Sequence, residues 1–241
     1  MPSAQELQID DAAGIAMTRS GADVRSLLQA IHSASGSNLS LLHPRGKVLF
    51  AEGEAARGVF ILRTGRATVS ISSSEGRVVI LQIARPGDVL GLNSALRNES
   101  YNTTVQTIES TRTHFISREQ LVEVIKENQP VAYAISQILS REIAELTERA
   151  RSLLLPQTVI AKLARLLLEW GEESRAKGSS PLQIARTFTH EDLARMICSS
   201  RETVTRLLAG LNRRRILRMT PDSFLIVDHA ALQKIAVGLK A

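Results

Sequence analysis

The stretch Thr189-His190-Glu191-Asp192-Leu193-Ala194-Arg195-Met196-Ile197-Cys198-Ser199-Ser200-Arg201-Glu202-Thr203-Val204-Thr205-Arg206-Leu207-Leu208 decides how this chain is read. Thr189 followed three residues later by Asp192 is a helix start signal. A threonine side chain there accepts from the third residue's amide, and the acid reaches back to the threonine backbone. Leu193, Ala194, Met196 and Ile197 then give the first helix an apolar face. Ser199-Ser200-Arg201-Glu202 repeats the start signal, so a second helix is expected to begin near Ser199. Val204, Leu207, Leu208 and Leu211 fall at helical spacing and supply its buried side. Two short capped helices separated by a tight turn form a helix-turn-helix.

The buried set leaves Arg201, Glu202 and Arg206 facing outward together. Arginine can bond two acceptors on guanine, and glutamate accepts from the amino group of cytosine. Ser200, Thr203 and Thr205 offer hydroxyls, and a helix N-terminus attracts phosphate. The competing reading of Glu202 and Arg206 is a solvated ion pair one turn apart, contributing only ~0.3–0.5 kcal/mol. Within a helix-turn-helix, base reading outweighs it. Arg213-Arg214-Arg215 is either a phosphate clamp or a helix end stabilised by the dipole. Beyond it, Ile216 to Met219, a turn over Thr220-Pro221-Asp222-Ser223, and Phe224 to Val227 read as a hairpin wing. The net charge of +6 is weak support by itself, because basic surfaces are common. Its location says more. From Arg186 to Arg218, eight arginines stand against Glu191, Asp192 and Glu202, a concentration that release of counterions from DNA would exploit.

Upstream, the chain turns helical from Pro130 for about 26 residues, roughly 39 Å of helix. Leu139, Ile143, Leu146, Ala150 and Leu153 follow alternating steps of four and three, a coiled-coil seam for a second copy. A second stripe, Ile135, Ile138 and Ala144, is expected to face a β domain. The competing reading is one long core helix in a monomer, and two apolar stripes favour two partners over it. Pro156 breaks the pattern and Thr158 caps a helix over Val159 to Glu169, which places an interdomain hinge there. Residues 171–181 read as a surface loop. Between Leu39 and Ser117, short β-branched runs punctuated by glycine predict a compact β-barrel or roll. The runs are Val59 to Leu62, Ala67 to Ile71, Val78 to Ile83 and Thr103 to Ile108. Val24 to His32 has helical spacing, and residues 1–21 read as a loosely ordered tail. The expected organisation is a tail over 1–21, a sensor roll over 22–128, a dimer helix over 129–155 and a DNA-binding domain over 156–241.

The bulk composition narrows the classes. Hydrophobic residues make up 44% of the 241, enough for a sizeable core. No apolar run of about 18 residues suggests a membrane span, and the first 19 residues lack a secretory pattern, so a cytoplasmic address is expected. Cys198 is the lone cysteine, so one chain forms neither a disulfide nor an iron–sulfur cluster. His32, His43, His114, His190 and His229 show no metal-ligand spacing. No nucleophile–base pair or phosphate-binding loop is visible, so no catalytic residue is assigned and an enzyme ranks last.

Ser200-Arg201-Glu202-Thr203-Val204-Thr205-Arg206 closely resembles the recognition helix of the cAMP receptor protein/fumarate–nitrate regulator (Crp/Fnr) family. Gly46 to Gly53, Phe60-Ile61-Leu62 with Gly65, and Pro86-Gly87-Asp88-Val89-Leu90-Gly91 resemble that family's cyclic-nucleotide-binding roll. The resemblance spans residues 24–235 and is specific because the motifs occur together in the family's order. It implies a bacterial α+β transcription regulator: a β-roll, a long dimerisation helix and a C-terminal winged helix-turn-helix. Further implied are homodimers on palindromic double-stranded DNA, with Arg201, Glu202 and Arg206 reading a TGTGA-like half-site. Thr189, Ser200 and Thr203 then lie near phosphates, and RNA polymerase is a candidate partner. An effector in the roll would shift the dimer helices. The hinge at Leu155 to Thr158 would then reset the recognition helices to about 34 Å apart, the spacing of successive major grooves.

Two positions depart from the family. Cys198 stands where glycine is usual, so the turn is slightly strained; a small half-buried side chain is favoured there over a redox switch. The segment from Gly91 to Thr104 aligns with the cyclic-phosphate cassette, but Leu92 replaces the acid for the ribose and Asn102 the arginine for the phosphate. Thr103 matches a phosphate-touching hydroxyl, Thr147 a base contact, and Arg97 is a substitute cation. Without the arginine the strong charge-assisted bonds to the anion are lost, which disfavours cAMP and leaves a degenerate effector pocket. Haem is a weaker candidate: Asn93 stands near the histidine of carbon-monoxide sensors, and Pro2 matches their N-terminal ligand. No cofactor is assigned. The alternative function is a haem or small-molecule sensor acting mainly by protein contact, with vestigial DNA binding; the intact Arg201, Glu202 and Arg206 argue against it.

Overall fold

Among the described residues, alternation of β-branched residues with glycine turns produces eight strands before the first long helix. They are β1 (Leu39–His43), β2 (Val48–Phe50), β3 (Gly58–Thr64), β4 (Ala67–Ser72), β5 (Val78–Ala84), β6 (Val89–Leu90), β7 (Thr104–Thr107) and β8 (Thr111–Ser117). One sheet has the order β1-β8-β3-β6 and the other β2-β7-β4-β5, the β-roll of an α+β fold. The pairs of β8 with β1 and β3, and of β7 with β2 and β4, are antiparallel. The computed structural model describes residues 39–154, 158–176, 182–185 and 187–238. The tail over 1–21, the helix expected at Val24 to His32, and Pro156 with most of the hinge lie outside these residues.

The chain divides into two compact units, the first ending at Ala144 and omitting Gly76–Ile80, the second taking Gly76–Ile80 and the residues from Glu145 onward. Three helices accompany the strands: α1 (Leu92–Arg97), α2 (Arg118–Glu127) and α3 (Gln129–Leu154). Their apolar faces meet the roll. Val59, Ile61 and Ile116 from the strands cluster with Leu92, Ala95, Leu121, Val124, Val131, Ile135 and Ile138. Ser117 starts α2 with a reciprocal cap: its Oγ accepts from the Gln120 amide at 3.2 Å, and its own amide donates to Gln120 Oε1 at 3.2 Å. A second cluster holds Phe50, Leu62, Val105 and Tyr101. Tyr101 stacks on Phe50 and donates to the Gly58 carbonyl at 2.7 Å.

The long helix has the expected 26 residues. Ile135 and Ile138 face the roll as the sequence pattern indicates, but Ala144 is exposed and not part of that contact. Leu139 of the expected seam is half-buried and packs in part against the roll cluster. The reason is geometric, because Leu139 lies one and four residues from the buried Ile138 and Ile135, on the flank of the same face. The exposed apolar row is therefore shorter and begins at Ile143.

The second unit contains α4 (Val159–Ala176), β9 (Gln183–Ala185), α5 (His190–Met196), α6 (Arg201–Arg213), β10 (Leu217–Met219), β11 (Ser223–Ile226) and α7 (His229–Ala236). Thr158 caps α4, accepting from the Ala161 amide at 3.3 Å. That helix runs past Glu169, so residues 171–176 are helical and not loop. Gly171 sits in close packing within the helix: a Cβ there would lie 2.7 Å from Ile226 Cδ1. Residues 177–181 are outside the described set. Strand β9 joins the wing hairpin in the order β10-β11-β9. None of the described helices is long and apolar enough to cross a membrane.

Leu121 is fully buried where strands and helices meet. Leu121→Ala is expected to destabilise the protein by about 2–5 kcal/mol in urea unfolding, the usual cost of such a cavity. A loss below about 1 kcal/mol would contradict this account of the first core.

Candidate nucleic-acid interface

The first helix of the motif is fastened at its start. Thr189 Oγ1 accepts from the Asp192 amide at 3.1 Å, and the Thr189 amide and hydroxyl donate to Asp192 Oδ2 at 2.9 and 2.7 Å. Leu193, Ala194 and Ile197 are buried beneath it. The chain then reverses through Cys198, whose φ of 53° lies in the left-handed region, and the Ser199 amide donates to the Ala194 carbonyl at 2.9 Å. Strain at this turn is thus located where the sequence indicates, but Cys198 is exposed rather than half-buried. Ser199 is spent closing the turn. The cap of α6 is therefore Ser200, one residue later than expected, with Oγ accepting from the Thr203 amide at 3.2 Å.

Val204 and Leu208 are 0% and Leu211 1% exposed, and Leu207 is half-buried. With that side anchored, Arg201, Glu202 and Arg206 are all exposed on the other. The Glu202 carboxyl is held below the ordinary glutamate value, first by its own backbone N–H, then by Ser200, with the Arg201 charge assisting. It stays ionised through the neutral range as an acceptor. Thr189 and Ser200 are exposed and Thr203 half-buried. Thr205 does not offer a free hydroxyl: it donates to the Arg201 carbonyl at 2.9 Å and lies 2.8 Å from His190 Nδ1.

Arg213 ends α6, Arg214 caps it, and Arg215 adopts φ 57°, turning the chain into β10. All three are exposed at the negative end of the helix dipole, so dipole stabilisation and phosphate contact are compatible. Asn212, Arg215, Leu217, Arg218 and Val227 line a surface cavity of about 350 Å³. Sequence reading missed it because helix and wing residues come together only in the fold.

The residues proposed for an effector fare differently. Gly91 has φ 80°, and a Cβ there would meet the Tyr101 ring at 2.6 Å. Leu92 is 1% exposed within the apolar cluster, so it is a core residue and not a ligand-facing one. Arg97 is exposed and tied to Glu99 at 2.7 Å, which raises its pKa first by the hydrogen bond and then by charge. Asn102 is exposed with Oδ1 3.5 Å from Ser94 Oγ, and Thr103 is half-buried. Thr147 is exposed on the part of α3 belonging to the second unit. Among the described residues, no group of three or more His, Cys, Asp or Glu is placed to hold a metal.

Residues 42–128 match the cyclic nucleotide-binding domain model, and residues 161–235 match the Crp-like helix-turn-helix domain model. The chain belongs to the Crp/Fnr family. Like its relatives, this Crp/Fnr protein is a DNA-binding transcription regulator. It is 26% identical over 193 residues to the CRP-like cAMP-activated global transcriptional regulator of Mycobacterium tuberculosis, covering 80% of this chain and 86% of the relative. Identity to the cyclic AMP receptor protein of Thermus thermophilus is 26% over 198 residues, 82% of this chain and 88% of the other. In fold it resembles FixK2 from Bradyrhizobium japonicum, with a TM-score of 0.72, 22% identity, and coverage of 85% and 98%. The c-di-GMP-responsive global regulator CLP of Xanthomonas campestris also scores 0.72, at 20% identity, with coverage of 83% and 98%.

A left-handed non-glycine residue costs about 1–2 kcal/mol, partly offset by the greater freedom glycine loses on folding. Cys198→Gly in the Crp/Fnr turn is therefore expected to stabilise the chain by about 0.5–1 kcal/mol in urea unfolding. Destabilisation would show that the Cys198 side chain contributes packing outweighing the backbone strain.

Proposed function

We propose that this regulator binds as a homodimer to a palindromic, TGTGA-like operator, with Arg201, Glu202 and Arg206 of each copy reading base edges. The observation that carries the reading is the division of α6 into a buried side and an outward side holding those three charged residues. Guanidinium groups suit guanine O6 and N7, and an ionised carboxylate suits the amino group of cytosine. Thr189, Ser200, Thr203 and the arginines at 213, 214 and 215 flank this surface as phosphate contacts.

Dimerisation is supported by α3, where Ile143 and Leu146 are 65% and 50% exposed and Ala150 is exposed one turn further on. Large aliphatic side chains at heptad spacing gain about 25 cal/mol per Å² when a second helix covers them. In this reading the regulator works in the cytoplasm, with RNA polymerase as its downstream partner. The roll takes a small-molecule effector other than cAMP: Leu92 is sealed in the core and neutral Asn102 stands in the cassette. The sensor-only alternative has no support from α6, which keeps its full outward triad.

The test starts from duplexes selected by the full-length protein from a random pool. Gel-shift titration of Arg206→Ala on a selected palindrome is expected to show a loss of about 1–3 kcal/mol, with little change on a scrambled duplex. Equal losses on both would reduce Arg206 to a phosphate contact and overturn the base-reading assignment.

A further inference from the structure

The last turn of α6 meets the wing around a cavity that base reading does not use. Asn212 from α6, Arg215 from the reversal after it, Leu217 and Arg218 from β10, and Val227 after β11 line a space of about 350 Å³. Hydrogen bonds tie its walls together. The Val227 and Asp228 amides donate to the Ile216 carbonyl at 2.9 and 3.2 Å, and the Arg215 amide donates to the Asn212 carbonyl at 3.0 Å. The Met219 amide donates to Asn212 Oδ1 at 3.3 Å, which fastens β10 to the helix. The shape is thus set by the chain itself, and its volume falls at the lower end of small-molecule sites, about 300–1,000 Å³.

The polar part of the lining has one sign. Arg215 and Arg218 are exposed, and a guanidinium donates without ever accepting. Asn212 has its Oδ1 engaged by Met219, so its amide nitrogen is the end left to donate. Among the described residues no acidic side chain lines the space. The neighbouring Asp228 is committed to α7, accepting from the Ala231 amide at 2.8 Å. The remaining lining is apolar, from Leu217 and from Val227, which is 52% exposed. A bare phosphate would meet the donors and leave the apolar surface uncovered. A neutral apolar molecule would desolvate two cations without compensating them. An anion carried on an apolar body satisfies both parts, because guanidinium groups match the geometry of such anions with paired bonds.

We propose that this cavity binds a small organic anion, a carboxylate or sulfonate on an apolar body, and that its occupancy weakens DNA binding by engaging Arg215. The site itself stands apart from base reading by α6. Only its effect on DNA rests on the phosphate contact proposed for Arg215.

The probe is anilinonaphthalene sulfonate, whose fluorescence rises in apolar surroundings, titrated into the full-length protein. Arg215→Gln combined with Arg218→Gln should weaken its binding about tenfold, the equivalent of losing one charge-assisted hydrogen bond. Val227→Glu keeps both arginines but sets a carboxylate in the cavity, and should weaken binding as much. Octanoate should displace the dye, whereas octanol and inorganic phosphate at the same concentration should not. Binding that neither variant changes would put the dye elsewhere and overturn the proposal. Displacement by phosphate as readily as by octanoate would reduce the cavity to a plain anion contact, such as one for a DNA phosphate, and overturn it too. In gel shifts, octanoate should lower the salt slope of DNA binding by about one for the unaltered protein and leave the double variant unchanged. Dye displacement without any change in DNA binding would leave the site standing and overturn its effect on DNA, together with the phosphate contact of Arg215.

Discussion

The recognition surface depends on a constraint beneath it: Val204, Leu208 and Leu211 are buried almost completely. A helix of 13 residues gains little from propensity and is held chiefly by such packing. Once three positions on one side are committed to the core, the orientation of Arg201, Glu202 and Arg206 follows from the 3.6-residue period. Polar contacts at either end refine the placement. Ser200 fixes the first turn, and the left-handed residues Cys198 and Arg215 bend the chain sharply into and out of the helix. Charge is thus displayed by a rigid support, which suits reading bases better than a mobile arm would.

Much of this frame was legible because its signals are local. The Thr189–Asp192 cap, the period of the buried residues and the length of α3 each follow from a few neighbouring side chains. Errors arose where a local signal had two meanings. Ser199 and Ser200 both satisfy a cap pattern, and the reversal at Cys198 decides between them. Residues 171–176 read as loop, yet they continue α4, with Gly171 in close contact with Ile226. Leu139 fits a heptad seam, yet the face defined by Ile135 and Ile138 claims it. The Ser117–Gln120 cap of α2 directly follows a run of strand signals that masks it, and β9 is too short for any period to show.

Side-chain partnerships across elements were not readable at all. Nothing local links His190 to Thr205, 15 residues apart, so the hydroxyl of Thr205 was assigned to DNA. Likewise Leu92 aligned with a ligand position, but its apolar side chain finds a better environment among Val59, Ile61 and Leu121 than beside a polar ligand. The roll keeps the cyclic nucleotide-binding architecture, with Leu92 buried and Asn102 exposed in the segment that resembles the family's phosphate cassette. Fold and ligand chemistry are separable in this way because strand packing and pocket lining draw on different residues.

The account stands or falls on how α6 meets DNA, and hydroxyl-radical footprinting on a selected duplex, with the number of bound chains counted by sedimentation, tests it most directly. Two chains per duplex should protect two patches on one face, centred about one helical turn apart. A single protected patch, or protection that does not follow the paired half-sites, would contradict it.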